Sequence, residues 1–367
     1  DNAATTAVSK TALDAMLPYL TTAYGNPSSS YSFGQEARMA IASAAETVAE
    51  CLNADPKEIY FTSGGSEADN QAILSAAKAG LKKGKKHEIE LLDVHENGLI
   101  NPAQVEKAIR PDTCLVTVMF ANNEVGTVQP VPEIGALCRK RGIPFHTDAV
   151  QAAGHLPIDV KAMDIDMLSL SGHKFHAPKG TGVLYCAKNI QLYSLIEGGA
   201  QQRGKRAGTE NVAGIVALAA ALKESCENIL QDKTKVCAMR DRLIEELAKI
   251  PHSKINGSLE HHVPGTVNIC FEGIEGSRLL LELDKHGICA SAGSACTSGS
   301  ADPSHVLLSL HVPYELARGS LRLSVCEYNT SEEIDEICRI LPECVKNLRS
   351  LSPLWREYES GKREHLC

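Results

Sequence analysis

The sequence predicts an α/β fold, with a large domain on a largely parallel sheet beside a smaller domain, and three observations point to it. Strand, glycine-bearing turn and helix follow one another repeatedly as far as about Cys226. Each predicted strand ends in a polar cluster, and the carboxyl ends of strands are where open α/β sheets bind ligands. Beyond Cys226 the texture changes to long charged helices and shorter strands. A length of 367 residues suits one large and one smaller domain.

Taken in order, Gln35 to Leu52 is rich in Ala and Glu and free of Pro and Gly, which predicts an amphipathic helix. Glu58 to Phe61 reads as a strand that runs into Thr62-Ser63-Gly64-Gly65-Ser66-Glu67, with a helix over Ala68 to Leu81. Cys114 to Phe120 is an apolar strand ending in Ala121-Asn122-Asn123-Glu124, and Val131 to Arg141 is a helix closed by Gly142. Ile143 to Asp148 is a short strand with an acid at its end, and Asp166 to Leu170 delivers Ser171-Gly172-His173-Lys174. Asp232 to Ile250 then reads as a helix and Thr266 to Phe271 as a strand. The expected division is a large domain over 12–228 and a small one made of 1–11 and 229–367. The small one carries a loop of short side chains at about 289–302, rich enough in glycine to be mobile. No internal repeat or low-complexity segment interrupts the chain.

Composition narrows the function. Lys and Arg number 37 against 45 Asp and Glu, a net charge of −8, so no nucleic-acid partner is expected. No apolar run reaches the roughly twenty residues that cross a bilayer, and no signal peptide is visible, so no membrane is expected and a cytoplasmic enzyme fits, an organelle matrix being the other option. The 13 cysteines are scattered and odd in number, which favours reduced thiols, and no CxxC pair offers a metal site of local spacing, so none is expected.

Several residues carry chemistry, each with a plainer alternative. Thr62 to Glu67 is a capped helix start or a phosphate seat, with backbone N–H groups at a helix N-terminus and glycines allowing close approach. Lys174 is a solvated loop lysine or an amine that bonds a carbonyl; Asp148 is an N-cap for a helix from Val150 or a buried acid. Their conjunction at strand ends of one sheet favours the second reading of each. A pyridoxal-phosphate (PLP) site needs a lysine, a carboxylate for the pyridinium nitrogen and a phosphate cradle. That predicts carbanion chemistry on an amino acid. Cys296, in Ser291-Ala292-Gly293-Ser294-Ala295-Cys296-Thr297-Ser298-Gly299-Ser300, has no core to fill, and a thiol on a tether suits a nucleophile. Arg322, between Leu321 and Leu323, is an ion-pair partner or a fork for a substrate carboxylate.

Asp1-Asn2-Ala3-Ala4-Thr5-Thr6, Gly25-Asn26-Pro27-Ser28-Ser29, the Thr62 to Glu67 turn, Asn122-Asn123-Glu124-Val125-Gly126 and Asp148-Ala149-Val150-Gln151 stand in one order along the chain. Ser171-Gly172-His173-Lys174, Arg206-Ala207-Gly208-Thr209 and Gly293-Ser294-Ala295-Cys296-Thr297-Ser298 continue that order. Together these strings resemble the motifs of PLP-dependent cysteine desulfurases, class V aminotransferase-like enzymes. Leu351-Ser352-Pro353-Leu354-Trp355 is similar to the branch that supplies sulfur for iron-sulfur clusters. The resemblance implies an aspartate-aminotransferase-like (fold type I) transferase: a large domain on a mixed, mostly parallel sheet and a smaller α+β domain. It implies a homodimer whose sites borrow residues from the partner.

By position it implies that Lys174 forms the Schiff base, Asp148 meets the pyridine nitrogen, Gln151 reaches the ring hydroxyl and Asn123 lies beside the ring. Gly65, Ser66, Ser171 and His173 would hold the phosphate, with Thr209 from the other chain; His173 counts with Lys174 and Cys296 as catalytic. Arg322, with Asn123, would bind the substrate. Cys296 would take the sulfur of L-cysteine, leaving L-alanine and a persulfide for an acceptor such as an iron-sulfur scaffold protein. A selenocysteine lyase on the same scaffold is the nearest alternative, and a non-catalytic desulfurase-like scaffold protein is the other.

One stretch departs from the pattern. After Lys85-Lys86-His87 the resemblance calls for a strand, a Glu-His pair and a helix, roughly twenty residues that are missing here, on the scale of a parallel crossover. The absent histidine is the one that stacks on the ring. Either the chain lacks this segment by nature or the sequence joins two stretches across it, and the start at Asp1 without Met favours the latter expectation.

Overall fold

The structure, a computed structural model, describes residues 1–85, 88–293 and 302–362. Among the described residues eight strands fall into two sheets. β1 (Ile59–Thr62), β2 (Val116–Thr117), β3 (Phe145–Asp148), β4 (Met167–Ser171) and β5 (Gly182–Cys186) form the larger, in the order β1-β5-β4-β3-β2. β2, β3 and β4 are parallel, while β5 is antiparallel to both β4 and β1. Four of the five strands therefore point one way, and their carboxyl ends share one edge of the sheet with the start of β5. The expected mixed, mostly parallel α/β sheet is the one found.

Local chemistry sets the elements. The strand residues Phe145 and Met167 to Leu170 are buried on both faces, as befits a sheet with helices on each side. Helices Ser32–Leu52, Gly65–Lys82 and Val131–Arg141 supply that cover, and Gly142, at φ 65°, ends the last of them in the left-handed region that glycine tolerates best. The expected strand over Cys114 to Phe120 is shorter as a ladder, because only β3 flanks it. Its backbone bonds still continue from Val118 N–H to His146 O and from Phe120 N–H to Asp148 O.

The smaller sheet is antiparallel, with β6 (Ser253–Asn256), β7 (Thr266–Phe271) and β8 (Ser320–Ser324) in the order β6-β7-β8. Helices Gly276–Asp284 and Ser331–Leu351 share its apolar core. The helix expected from Asp232 is the second half of one 36-residue helix, Val212–Leu247. The expected division at 228/229 falls inside it. Its apolar residues up to Leu222 join the core of the larger sheet, and those from Val236 join the core of the smaller. Among the described residues no helix is long and apolar enough to cross a membrane.

Candidate active site

The edge shared by β1, β3 and β4 gathers the expected residues. At the end of β1 the chain turns through Gly64 and enters the helix at Gly65, three residues before the predicted start. The reason is steric: a Cβ on Gly65 would stand 2.5 Å from Val150 Cγ2 and 3.7 Å from Ser171 Cβ, so this turn is wedged between the segments that carry Asp148 and Lys174. A Cβ on Gly182, at the start of β5, would lie 2.6 Å from Gly64 Cα. The first N–H groups of this 18-residue helix have no acceptor inside it, and Ser66 stands exposed beside them. Arg206 pairs with Glu67 at 2.9 Å and fixes the turn from outside.

Asp148 closes β3. Rather than capping a helix, it accepts a bond from Val150 N–H at 2.9 Å, and residues 150–155 form turns. Burial raises its carboxyl above the usual range, while the Val150 N–H and the Lys174 charge pull it back down. Lys174 follows β4, and its Nζ donates to Ala3 O at 2.6 Å and Ala4 O at 2.9 Å. Gln151 Nε2 donates to the same Ala3 carbonyl at 3.3 Å. His173 is fixed by Thr5 Oγ1, 3.1 Å from its Nδ1, and burial with the charges of Lys174 and Lys179 lowers its pKa to about 4. The ring is neutral at neutral pH.

Asn123 and Arg322 meet across the two sheets. Asn122 makes the turn by accepting bonds from Glu124 N–H and Val125 N–H, which presents the Asn123 carbonyl to Arg322 Nη1 at 2.8 Å. Arg322, 1% exposed on β8, also donates from Nη2 to Asp1 Oδ1 at 3.0 Å and to Ser291 Oγ at 3.2 Å. In this state the fork holds a carboxylate of its own chain. Thr209 is exposed and lines a recess with Thr62, Ser63 and Arg206 that none of Lys174, Asp148, Gly65 or Ser66 lines. Cys296 lies outside the described residues.

Some residues at the site carried no expected role. Ala3 and Ala4 hold Lys174, Thr6 Oγ1 donates to His173 O at 3.0 Å, and His155 Nε2 stands 3.0 Å from Lys174 O. Asp69, on the Gly65–Lys82 helix, lies 3.5 Å from His146 Nε2. Burial and the nearby Asp148 raise its pKa to about 7. Only the Asp1 to Thr6 string signalled any of these in the sequence, and then without a role.

The donor set fits PLP. The Gly64-Gly65 turn leaves Ser171 Oγ as the nearest atom, at 3.7 Å, to a Cβ that Gly64 lacks, which is an open cradle at a helix N-terminus. A buried carboxyl and an amine stand nearby at the same sheet edge.

The aminotransferase class-V family model matches residues 1–87 and 79–337. The cysteine desulfurase IscS of Clostridium botulinum (strain Hall) is 48% identical over 389 residues, covering 99% of this chain and 98% of the relative. The cysteine desulfurase NifS of Azotobacter vinelandii is 43% identical, covering 97% and 94%. A solved NifS-like protein superposes with a TM-score of 0.88 at 34% identity, covering 95% of this chain and 99% of that one. An alignment of 389 residues exceeds the 367 present here, so the Clostridium protein carries residues with no counterpart in this chain. The two matched segments of the family model overlap at residues 79–87, the stretch after which the resemblance calls for further residues. The chain belongs to the class-V aminotransferase family and, within it, to the cysteine desulfurases.

Proposed function

We propose that this chain is a PLP-dependent cysteine desulfurase that converts L-cysteine to L-alanine and keeps the sulfur as a persulfide on Cys296. The observation that supports this best is the meeting of Lys174, Asp148 and the Gly64-Gly65 turn at one sheet edge. When bound, PLP supplies an electron sink for the substrate's α-carbon. Lys174 is the amine that would hold it and move protons at the substrate carbon. Asp148 would keep the ring nitrogen protonated, and Gln151 would reach the ring hydroxyl. Gly65, Ser66, Ser171 and His173 seat the phosphate, with Thr209 of the partner subunit. Neutral His173 offers a hydrogen bond there, not a charge.

Arg322 receives the substrate carboxylate beside Asn123 by exchanging it for Asp1. The Cys296 thiolate forms a bond to the substrate sulfur as the carbon–sulfur bond breaks. The bonding pair stays with carbon, which takes a proton, so cysteine and thiol give alanine and persulfide. The persulfide then passes to an acceptor protein such as an iron-sulfur scaffold, and the working unit is a homodimer.

Purified protein supplied with L-cysteine and a thiol should release sulfide and alanine in equal amounts. Cys296→Ala should keep the visible absorbance of bound PLP and lose sulfide release by at least about a hundredfold. Unchanged turnover in that variant would overturn the role of Cys296, and absence of alanine from the wild type would overturn the reaction.

A further inference from the structure

His176, Cys326 and Glu327 come together where the two cores meet. His176 lies between Phe175 and Ala177, which belong to the core of the larger sheet, while Cys326 and Glu327 follow Val325, which belongs to the other. One ligand atom from each of the three lies within 4.8 Å of the others. The sequence gives no local spacing for such a set, because its members stand far apart in the chain.

The ring of His176 is held in one orientation. Its Nδ1 lies 3.0 Å from Ala7 O, and a carbonyl only accepts, so Nδ1 carries the hydrogen. In the neutral ring the lone pair is then on Nε2. That atom is buried and stands 2.8 Å from Glu327 Oε1; burial lowers the pKa of the ring, but the Glu327 carboxylate more than offsets it and leaves the pKa raised. With the ring neutral, two acceptors face each other beside a thiol. Such an arrangement calls for a cation between them, and a proton on Nε2 serves two of the three groups where a metal ion serves all three.

The backbone supports a dedicated position. His176 adopts φ 65°, a conformation that costs a residue with a side chain, and it is kept there by its N–H bond to Thr6 Oγ1 at 2.9 Å. The Tyr328 ring meets the imidazole edge-on at 4.7 Å. His176 is 3% exposed and Cys326 6%, yet Cys326 and Glu327 also line an open cleft with Asp232, His155 and Lys174, so a fourth ligand position can reach solvent.

We propose that His176 Nε2, Cys326 Sγ and the Glu327 carboxylate bind one zinc ion that ties the two cores together, with water from the cleft in the fourth position. Nitrogen, sulfur and oxygen donors in a small set suit tetrahedral zinc, whereas magnesium and calcium take all-oxygen shells. Binding breaks the Cys326 S–H bond, forms a zinc–sulfur bond and sends the proton to solvent, with no change of oxidation state. The site is independent of the PLP chemistry, although it begins two residues after Lys174.

The test uses the full-length holoenzyme, dialysed against chelator, given excess zinc sulfate and passed through a desalting column. Retained zinc is measured by atomic emission beside titrations by calorimetry. Wild type and Cys296→Ala should each retain one zinc per chain. Cys326→Ser, His176→Gln and Glu327→Gln should each weaken binding by at least about a hundredfold. Circular dichroism of each variant identifies any that fails to fold, and Glu327→Gln, which keeps shape and size, then decides. A wild type that retains no zinc, retention lost in Cys296→Ala, or retention unchanged in folded Cys326→Ser or Glu327→Gln would each overturn the site.

Discussion

Asp148 and Asp69 divide one electrostatic problem between them. Asp148 has the Lys174 charge to offset part of its burial, whereas Asp69 has Asp148 as a like charge, and its pKa stands at about 7. Removing the carboxylate at Asp148 while keeping its shape isolates the ring-nitrogen role. Asp148→Asn should keep its fold by circular dichroism and lower alanine formation by about a hundredfold or more. For Asp69 the consequence is for stability. Between about pH 4 and pH 7 the folded state holds a proton that the unfolded chain has released, so this group lowers stability as pH rises through that window. Buried His146, lowered to about 4, acts in the opposite sense over much of the same range, since the unfolded chain takes up its proton first as pH falls. The two slopes mask each other in the wild type. Asp69→Asn removes only the first. The melting temperature of the variant relative to wild type should therefore rise by roughly 3 °C or more from pH 5 to pH 7.5 in paired scans, and a constant difference would contradict the raised pKa.

The elements explain which parts of this site the sequence displayed. Helix Val131–Arg141 with Gly142 and strand Thr266–Phe271 lie where local pattern puts them, because cap, glycine and alternation are signals within a few residues. The helix predicted from Ala68 starts at Gly65, since a glycine reads as a turn until the neighbouring Val150 shows why no Cβ fits. Roles for Ala3, Ala4 and Thr6 were illegible: their partners His173 and Lys174 are some 170 positions away, and a carbonyl acceptor has no sequence signature. The crossing of backbones at Gly182 and Gly64 is equally non-local and has a measurable consequence. Gly182→Ala forces a methyl against the Gly64 backbone and should cost about 1–3 kcal/mol in urea unfolding while weakening cofactor retention.

At the scale of the molecule, the two sheets bring Arg322 and Asn123 together, and the proposed phosphate seat adds Thr209 from a second chain. Thr209 lines a recess away from Gly65 and Ser66, and Ile73 and Leu74 are exposed on the helix that Gly65 opens. In the proposed homodimer a two-fold partner would cover these apolar side chains and bring the same loop from the second chain. Complementation distinguishes this arrangement from a self-sufficient monomer. Lys174→Ala and Thr209→Ala should each be nearly inactive alone. When the two variants are unfolded together and refolded as mixed dimers, a site supplied in trans pairs the intact Lys174 of one chain with the intact Thr209 of the other. Random assembly makes half of the dimers mixed, each with one whole site, so about a quarter of the wild-type rate should return. If Thr209 served its own chain, every site in the mixture would lack one of the two residues, and no activity would return. The rate of the mixture therefore reads directly whether the catalytic unit is one chain or two.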